Sequence, residues 1–182
     1  MEGSHEGRET LLSHSFGPIV QQGYVVPDLD AGMAHWIARG VGPFFVLPDH
    51  HLETDYYGTP ASIRIKAAFA ASGSQQIELI EPFPDSGPTV YQDYLDAHPQ
   101  GGLQHVAVWC DDVPAQIAAM DDSWVLAQRY KGTHAYFDTK DKPGVMIQFM
   151  PTLDRYKDLF ATAEAEAKSW DGVTDPVRTL DW

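Results

Sequence analysis

The chain has 182 residues, of which 43% are apolar and 21% charged. That suffices for one ordinary domain or two small modules sharing a core, and it is too apolar for a disordered chain. Twelve basic residues against 26 acidic ones give a net charge of −14, which argues against a sequence-independent nucleic-acid binder and against an anionic membrane surface. The lone Cys110 excludes an internal disulfide and a cysteine-rich zinc site, and no apolar run approaches the roughly 20 residues of a spanning helix. The polar N-terminus carries no apolar stretch of the secretory kind, so the expected location is cytoplasmic, with no membrane partner.

Residues 1–15 are polar and aperiodic and read as a flexible tail. Ile19 to Val26 is rich in β-branched and aromatic residues and predicts a strand. Asp28 then offers an N-cap to a helix that runs to about Arg39, where Gly40 supplies a left-handed cap and Pro43 forbids continuation. Phe44 to Leu47 begins a second strand. Ser62 to Ala70 and Gln75 to Ile80 form a hairpin about Gly73. Residues 83–102, rich in Pro, Gly, Asp and Ser, read as a linker with a short helical patch from Tyr91 to Leu95. Leu103 to Trp109 is a strand, Asp112 caps a helix from Ala115 to Met120, and Trp124 to Tyr130 is a strand. His134 to Asp138 and Val145 to Met150 make a hairpin around Lys140 to Gly144. An amphipathic helix follows over Leu153 to Trp170, and the last dozen residues look irregular.

The second half restarts the first. Gln21 placed over His105, an offset of 84, sets Asp28 over Asp112 and Met33 over Ile117. The ends of the halves match at an offset of 70: Ile77-Glu78-Leu79-Ile80 resembles Ile147-Gln148-Phe149-Met150, each closed by a proline one or two residues on. The difference places an inserted loop within Pro48 to Pro60. The fold class predicted is therefore α+β, with two tandem βαβββ modules forming a curved mixed sheet around a central groove, plus a C-terminal helix. The modules span 16–82 and 103–152, the linker 83–102 and the C-terminal helical extension 153–182.

The repeat pairs polar residues in otherwise apolar strands: Gln21 with His105, and Glu78 with Gln148. A carboxylate inside Gln-Ile-Glu-Leu-Ile is costly to bury without a partner, so its face must meet water, a cation or a metal. One imidazole, one carboxylate and two amide oxygens suit a hard or borderline divalent ion such as Mn, Co, Ni, Zn or Mg. His134 and Tyr136 alternate along one strand and face either the groove or solvent; in the groove, His134 is a candidate for proton transfer. Arg64 alternates with isoleucines and is either an anion-binding group or part of a polar sheet face. No phosphate-cradling glycine loop and no nucleophile elbow is present.

At this point the sequence resembles the vicinal oxygen chelate superfamily, which includes glyoxalase I, methylmalonyl-CoA epimerase, extradiol dioxygenases and the bleomycin- and fosfomycin-resistance proteins. The resemblance covers about residues 17 to 152. It is carried by the segment from Gln21 to Asp30, and supported by Gly40 to Phe45, Ile77 to Pro82, Leu103 to Val108 and Gly144 to Phe149. It is nearest to the epimerase-like, glyoxalase-like branch. Position by position, it implies metal ligands at Gln21, Glu78, His105 and Gln148. It also implies substrate contacts in the inserted loop, where His51 lies, and it makes a homodimer the expected assembly. The chain departs from the common pattern, having Gln21 where a histidine is usual and Gln148 where a glutamate is usual, so an ion would meet one negative charge.

The first function expected is a metal-dependent isomerase, epimerase or lyase that moves a proton next to a carbonyl of a small molecule or acyl thioester. In that reading Glu78, His134 and Tyr136 are catalytic, while Phe44, Phe45, His51 and Arg64 bind substrate. The alternative is a metal-free small-molecule binding protein of the bleomycin-resistance kind. A ring-cleaving dioxygenase usually needs two histidines and a carboxylate, and only His105 and Glu78 stand at matching places.

Overall fold

The computed structural model describes residues 16–130, 133–139 and 144–180. The expected tail over 1–15 and the hairpin turn at Lys140 to Pro143 lie outside them. In chain order the elements are β1 (Ile19–Val25), α1 (Leu29–Ile37), β2 (Phe44–Tyr56), β3 (Thr59–Ser72), β4 (Gln75–Pro82), α2 (Val90–Ala97), β5 (Gly102–Cys110), α3 (Val113–Ala119), β6 (Val125–Tyr130), β7 (Ala135–Asp138), β8 (Met146–Pro151), α4 (Asp154–Ser169) and β9 (Val177–Thr179).

Local chemistry sets the boundaries. The Asp28 and Asp112 carboxylates accept hydrogen bonds from the Ala31 and Ala115 amides, each at 2.9 Å, and so cap α1 and α3. Gly40 takes φ +80 after α1, and Gly73 takes φ +62 in the turn between β3 and β4, a region of backbone space that glycine enters without a Cβ penalty.

The strands form one mixed sheet in the order β3-β4-β1-β5-β8-β7-β6-β2-β9, and a further β3–β2 pairing closes it into a barrel-like ring. Residues 19–82 pair as β2-β3-β4-β1 with β1 and β4 parallel, and residues 102–151 pair as β6-β7-β8-β5 with β5 and β8 parallel. The two groups meet at the antiparallel β1–β5 and β2–β6 edges. Outside the ring, α1 covers Phe44, Ala68, Ile77 and Leu79 with Leu29 and Met33, while Val113 and Ile117 of α3 cover Val108, Phe137 and Phe149.

Three segments differ from the sequence reading. Pro48 to Pro60 is not an extended loop: β2 runs on to Tyr56 and pairs with β3 from His50–Ile65 to Tyr56–Thr59, leaving only the turn at Tyr57 and Gly58. The segment read as a linker puts Val90 and Tyr91 of α2 into the core, at 1% and 0% exposure. The C-terminal end carries β9, which adds to β2 in parallel at Phe44, Phe45 and Val46. Among the described residues no helix is long and apolar enough to cross a membrane.

Candidate metal and substrate site

The inner face of the ring and the covering helix α4 enclose a cavity of about 390 Å³, within the range of small-molecule sites. Strand alternation supplies its walls. On β3 the odd positions Ile65, Ala67 and Phe69 point in; on β4 Gln76 and Glu78 do so, and on β1 Gln21. Gln148 of β8, and Tyr136, Tyr130 and His134 of and beside β6 and β7, form the opposite wall, while His50 and His51 stand near the rim.

Gln21, Glu78 and Gln148 line this cavity, and His105 lies beside it fully buried, with Nε2 3.2 Å from Glu78 Oε2. Glycine makes room for the imidazole: Gly23 pairs with both His105 and Glu78 across its two edges, and a Cβ there would lie only 1.9 Å from His105 Cε1. The β1–β5 register shifts between Gly23 and Tyr24, so Gln104 is the extra residue of a bulge. Both consecutive side chains at the bulge are buried, and Gln104 Oε1 lies 2.7 Å from His105 Nδ1. An amide oxygen only accepts, so Nδ1 carries a proton, and in the neutral ring Nε2 keeps its lone pair.

Hydrogen bonding around the other donors has the same consequence. Gln21 Nε2 donates to Gln76 Oε1 at 2.7 Å, and Gln148 Nε2 donates to the Tyr136 hydroxyl at 2.7 Å. Each bond turns the carbonyl oxygen of the donating glutamine free. Gln21 Oε1, Glu78 Oε2, His105 Nε2 and Gln148 Oε1 are all buried without a hydrogen-bond partner. Unsatisfied buried acceptors are uncommon and need a reason. Three of them on the cavity lining and the fourth, His105, directly beside it have the chemistry of a ligand set, and the 3.2 Å between Glu78 and His105 is close to the spacing of two ligands held at about 2.1 Å by one ion. The donor set therefore fits a hard or borderline divalent ion. By residue type it is nonetheless a sparse set: among the described residues no three His, Cys, Asp or Glu side chains gather at one point.

Next to these donors lies a buried phenol cluster. The Tyr91 hydroxyl donates to that of Tyr136 at 2.7 Å and contacts that of Tyr130, which lies 3.3 Å from Tyr136. Burial first, then the neighbouring phenols and Glu78, hold the Tyr136 hydroxyl well above its ordinary pKa, so it stays protonated. His134 is pushed down to about 3, chiefly by burial and then by the positive charge of Arg155, so its imidazole is neutral. Burial also lowers His50.

Of the other expected substrate contacts, His51 stands at the rim, its Nε2 3.3 Å from Asp49 Oδ1. Phe44, Phe45 and Arg64 do not reach the cavity. Phe44 is fully buried under α1, because β2 presents it to the outer face. Phe45 packs against Ala71 and Ala163 of α4. Arg64 points outward with the even positions of β3, where it pairs with both Asp49 oxygens at 2.7 Å and stacks on Phe83. The sequence reading missed Gln76, Gln104, Tyr130, Arg155 and Tyr156. Gln76 was legible as the position two before Glu78 on the same strand face. The others depend on the bulge or on where α4 docks.

The chain belongs to the glyoxalase/bleomycin resistance protein/dioxygenase superfamily, whose family model matches residues 20–138. Among solved structures it is similar to methylmalonyl-CoA epimerase from Mycobacterium tuberculosis, at 18% identity and a TM-score of 0.47 over 79% of this chain and 93% of that one. It is also similar to a variant methylmalonyl-CoA epimerase from Streptomyces coelicolor in complex with 2-nitronate-propionyl-CoA, at 22% identity and 0.47 over 77% and 97%. A third is a variant of 4-hydroxymandelate synthase from Streptomyces coelicolor, at 12% identity and 0.46 over 75% and 49%. No curated protein matches the chain in sequence.

Proposed function

We propose that the protein is a divalent-metal-dependent isomerase or epimerase, or a lyase of related chemistry, acting by proton transfer next to a carbonyl of a small molecule or acyl thioester. The observation that carries the proposal is the set of four buried side-chain atoms without a hydrogen bond, Gln21 Oε1, Glu78 Oε2 and Gln148 Oε1 on the cavity lining and His105 Nε2 beside it, 3.2 Å from Glu78. These four would hold the ion. A divalent ion there supplies positive charge to a substrate carbonyl, which acidifies the adjacent C–H. Gln104 orients the His105 ring, and Gln76 orients the Gln21 amide.

Glu78 or the neutral His134 imidazole takes the proton from carbon, and the same or an opposing group returns it. Tyr136, protonated and fixed by Tyr91 and Gln148, offers a hydroxyl to the charge that develops on the substrate oxygen. The apolar wall of Leu47, Ile65, Ala67, Phe69 and Leu159 excludes water. The proposal takes residues 16–82 and 103–152 as tandem modules joined through 83–102 and followed by the extension 153–182. It takes the protein to be a cytoplasmic homodimer.

A second reading is favoured by the amides: Gln21 and Gln148 are neutral, weak ligands, which suits a metal-free binding protein. Deuterium exchange separates the two. In heavy water, with Mn, Co or Zn added, a panel of small carbonyl compounds and acyl thioesters should include one whose α proton is exchanged, with the exchange lost on chelation. Tight ligand binding with no exchange and no turnover across the panel would favour sequestration.

A further inference from the structure

Helix α4 lies outside the segment matched by the family model, yet it closes the cavity with Arg155, Tyr156 and Leu159. Among the described residues Arg155 is the only Lys or Arg on the lining. Among the described residues it makes no ion pair, neither with Glu53 at the rim nor with Glu78 within; the described Lys and Arg pairs lie elsewhere. That is notable in a chain of net charge −14. Its guanidinium is held at the rim instead: Nη2 donates to the Tyr156 hydroxyl at 3.1 Å, and the group lies 4.8 Å from the centre of the same ring. Tyr156 in turn meets His134 edge-on at 5.1 Å. A cation with free donors, an aromatic support and a neutral imidazole thus line one side of the mouth.

We infer that Arg155 binds a carboxylate of the substrate, which makes the substrate class small carbonyl acids and α4 the element that selects them. This rests on the proposed function for the reaction but not for the binding. A planar guanidinium presents paired N–H donors that match the two oxygens of a carboxylate. One cation suits a monoanion better than a phosphate dianion. The arrangement also links binding to chemistry: Arg155 is the charge that most disfavours protonation of His134, after burial. A carboxylate on Arg155 offsets that charge, so His134 becomes a stronger base when an acid substrate is seated.

The test compares matched pairs, the acids phenylpyruvate, 2-oxobutyrate and acetoacetate against their methyl esters, by titration calorimetry on the full chain, with and without Mn. At least one acid should bind about ten- to a hundredfold more tightly than its ester. Arg155→Gln should erase that preference while leaving ester affinity unchanged, and Arg155→Lys should restore part of it. The inference is overturned if no acid in the panel outbinds its ester, or if Arg155→Gln keeps the preference. Because the ratio is read without metal as well, a protein that binds no ion but discriminates acids through Arg155 would fail the metal reading alone. A protein that binds an ion but ignores the carboxylate would fail this one alone.

Discussion

His105 is the residue on which the site turns, and its neighbours show why. Gly23 leaves the space for the ring, and Gln104 fixes its tautomer. Gly23→Ala should therefore lower stability by about 1–3 kcal/mol through overpacking, measured by denaturant unfolding, and should also reduce metal uptake. Gln104→Ala removes the orienting bond, together with the amide contact to Met146 Sδ, and should weaken metal affinity by about ten- to a hundredfold. A second residue-scale effect concerns acid. His134 has a pKa lowered to about 3 from 6.5, so below pH 6.5 the unfolded chain binds a proton that the folded protein refuses. The stability contributed by the neutral imidazole is thus present above about pH 6.5 and is lost as pH falls toward 3, at up to about 1.4 kcal/mol per pH unit. His134→Gln should flatten that part of the stability profile in chemical denaturation across pH 3–7.

At the scale of elements, α4 and α2 do more than connect. Leu159 of α4 is 7% exposed and packs on Ala67 and Phe69. Leu159→Ala should cost about 2–3 kcal/mol in unfolding free energy and widen the cavity mouth. Helix α2 is capped by Thr89, whose hydroxyl donates to the buried Gln128 Oε1 at 2.9 Å. The strands and helices of the ring were largely legible, because β1 and β5 announce themselves by β-branched runs, and Asp28 and Asp112 mark the starts of α1 and α3. The extension of β2 was not: His50 and His51 interrupt its apolar pattern, and only pairing with β3 shows it to be strand. Nor was β9, three residues whose β-conformation depends on the β2 edge they join. Within the site, the pairing of Gln21 with His105 and of Glu78 with Gln148 was readable from the repeat. The outward turn of Phe44 and Arg64 was not, since it rests on which face of each strand the closed sheet buries.

For the whole molecule, closure of the sheet is what gives the polar residues their meaning. An open sheet would leave Gln21, Glu78 and Gln148 on a broad wet face; the ring and α4 gather them instead onto the lining of one cavity, where no protein group donates to Gln21 Oε1, Glu78 Oε2 or Gln148 Oε1. Such an arrangement is stabilised by a cation and is costly without one. The most direct measurement is the metal content of the purified protein after dialysis against Mn, Co or Zn, compared with that of His105→Ala and Gln21→Ala. The wild type should carry one ion per chain, Gln21→Ala a reduced amount, and His105→Ala none. An ion-free wild type under all three metals, or equal content in wild type and His105→Ala, would contradict the account.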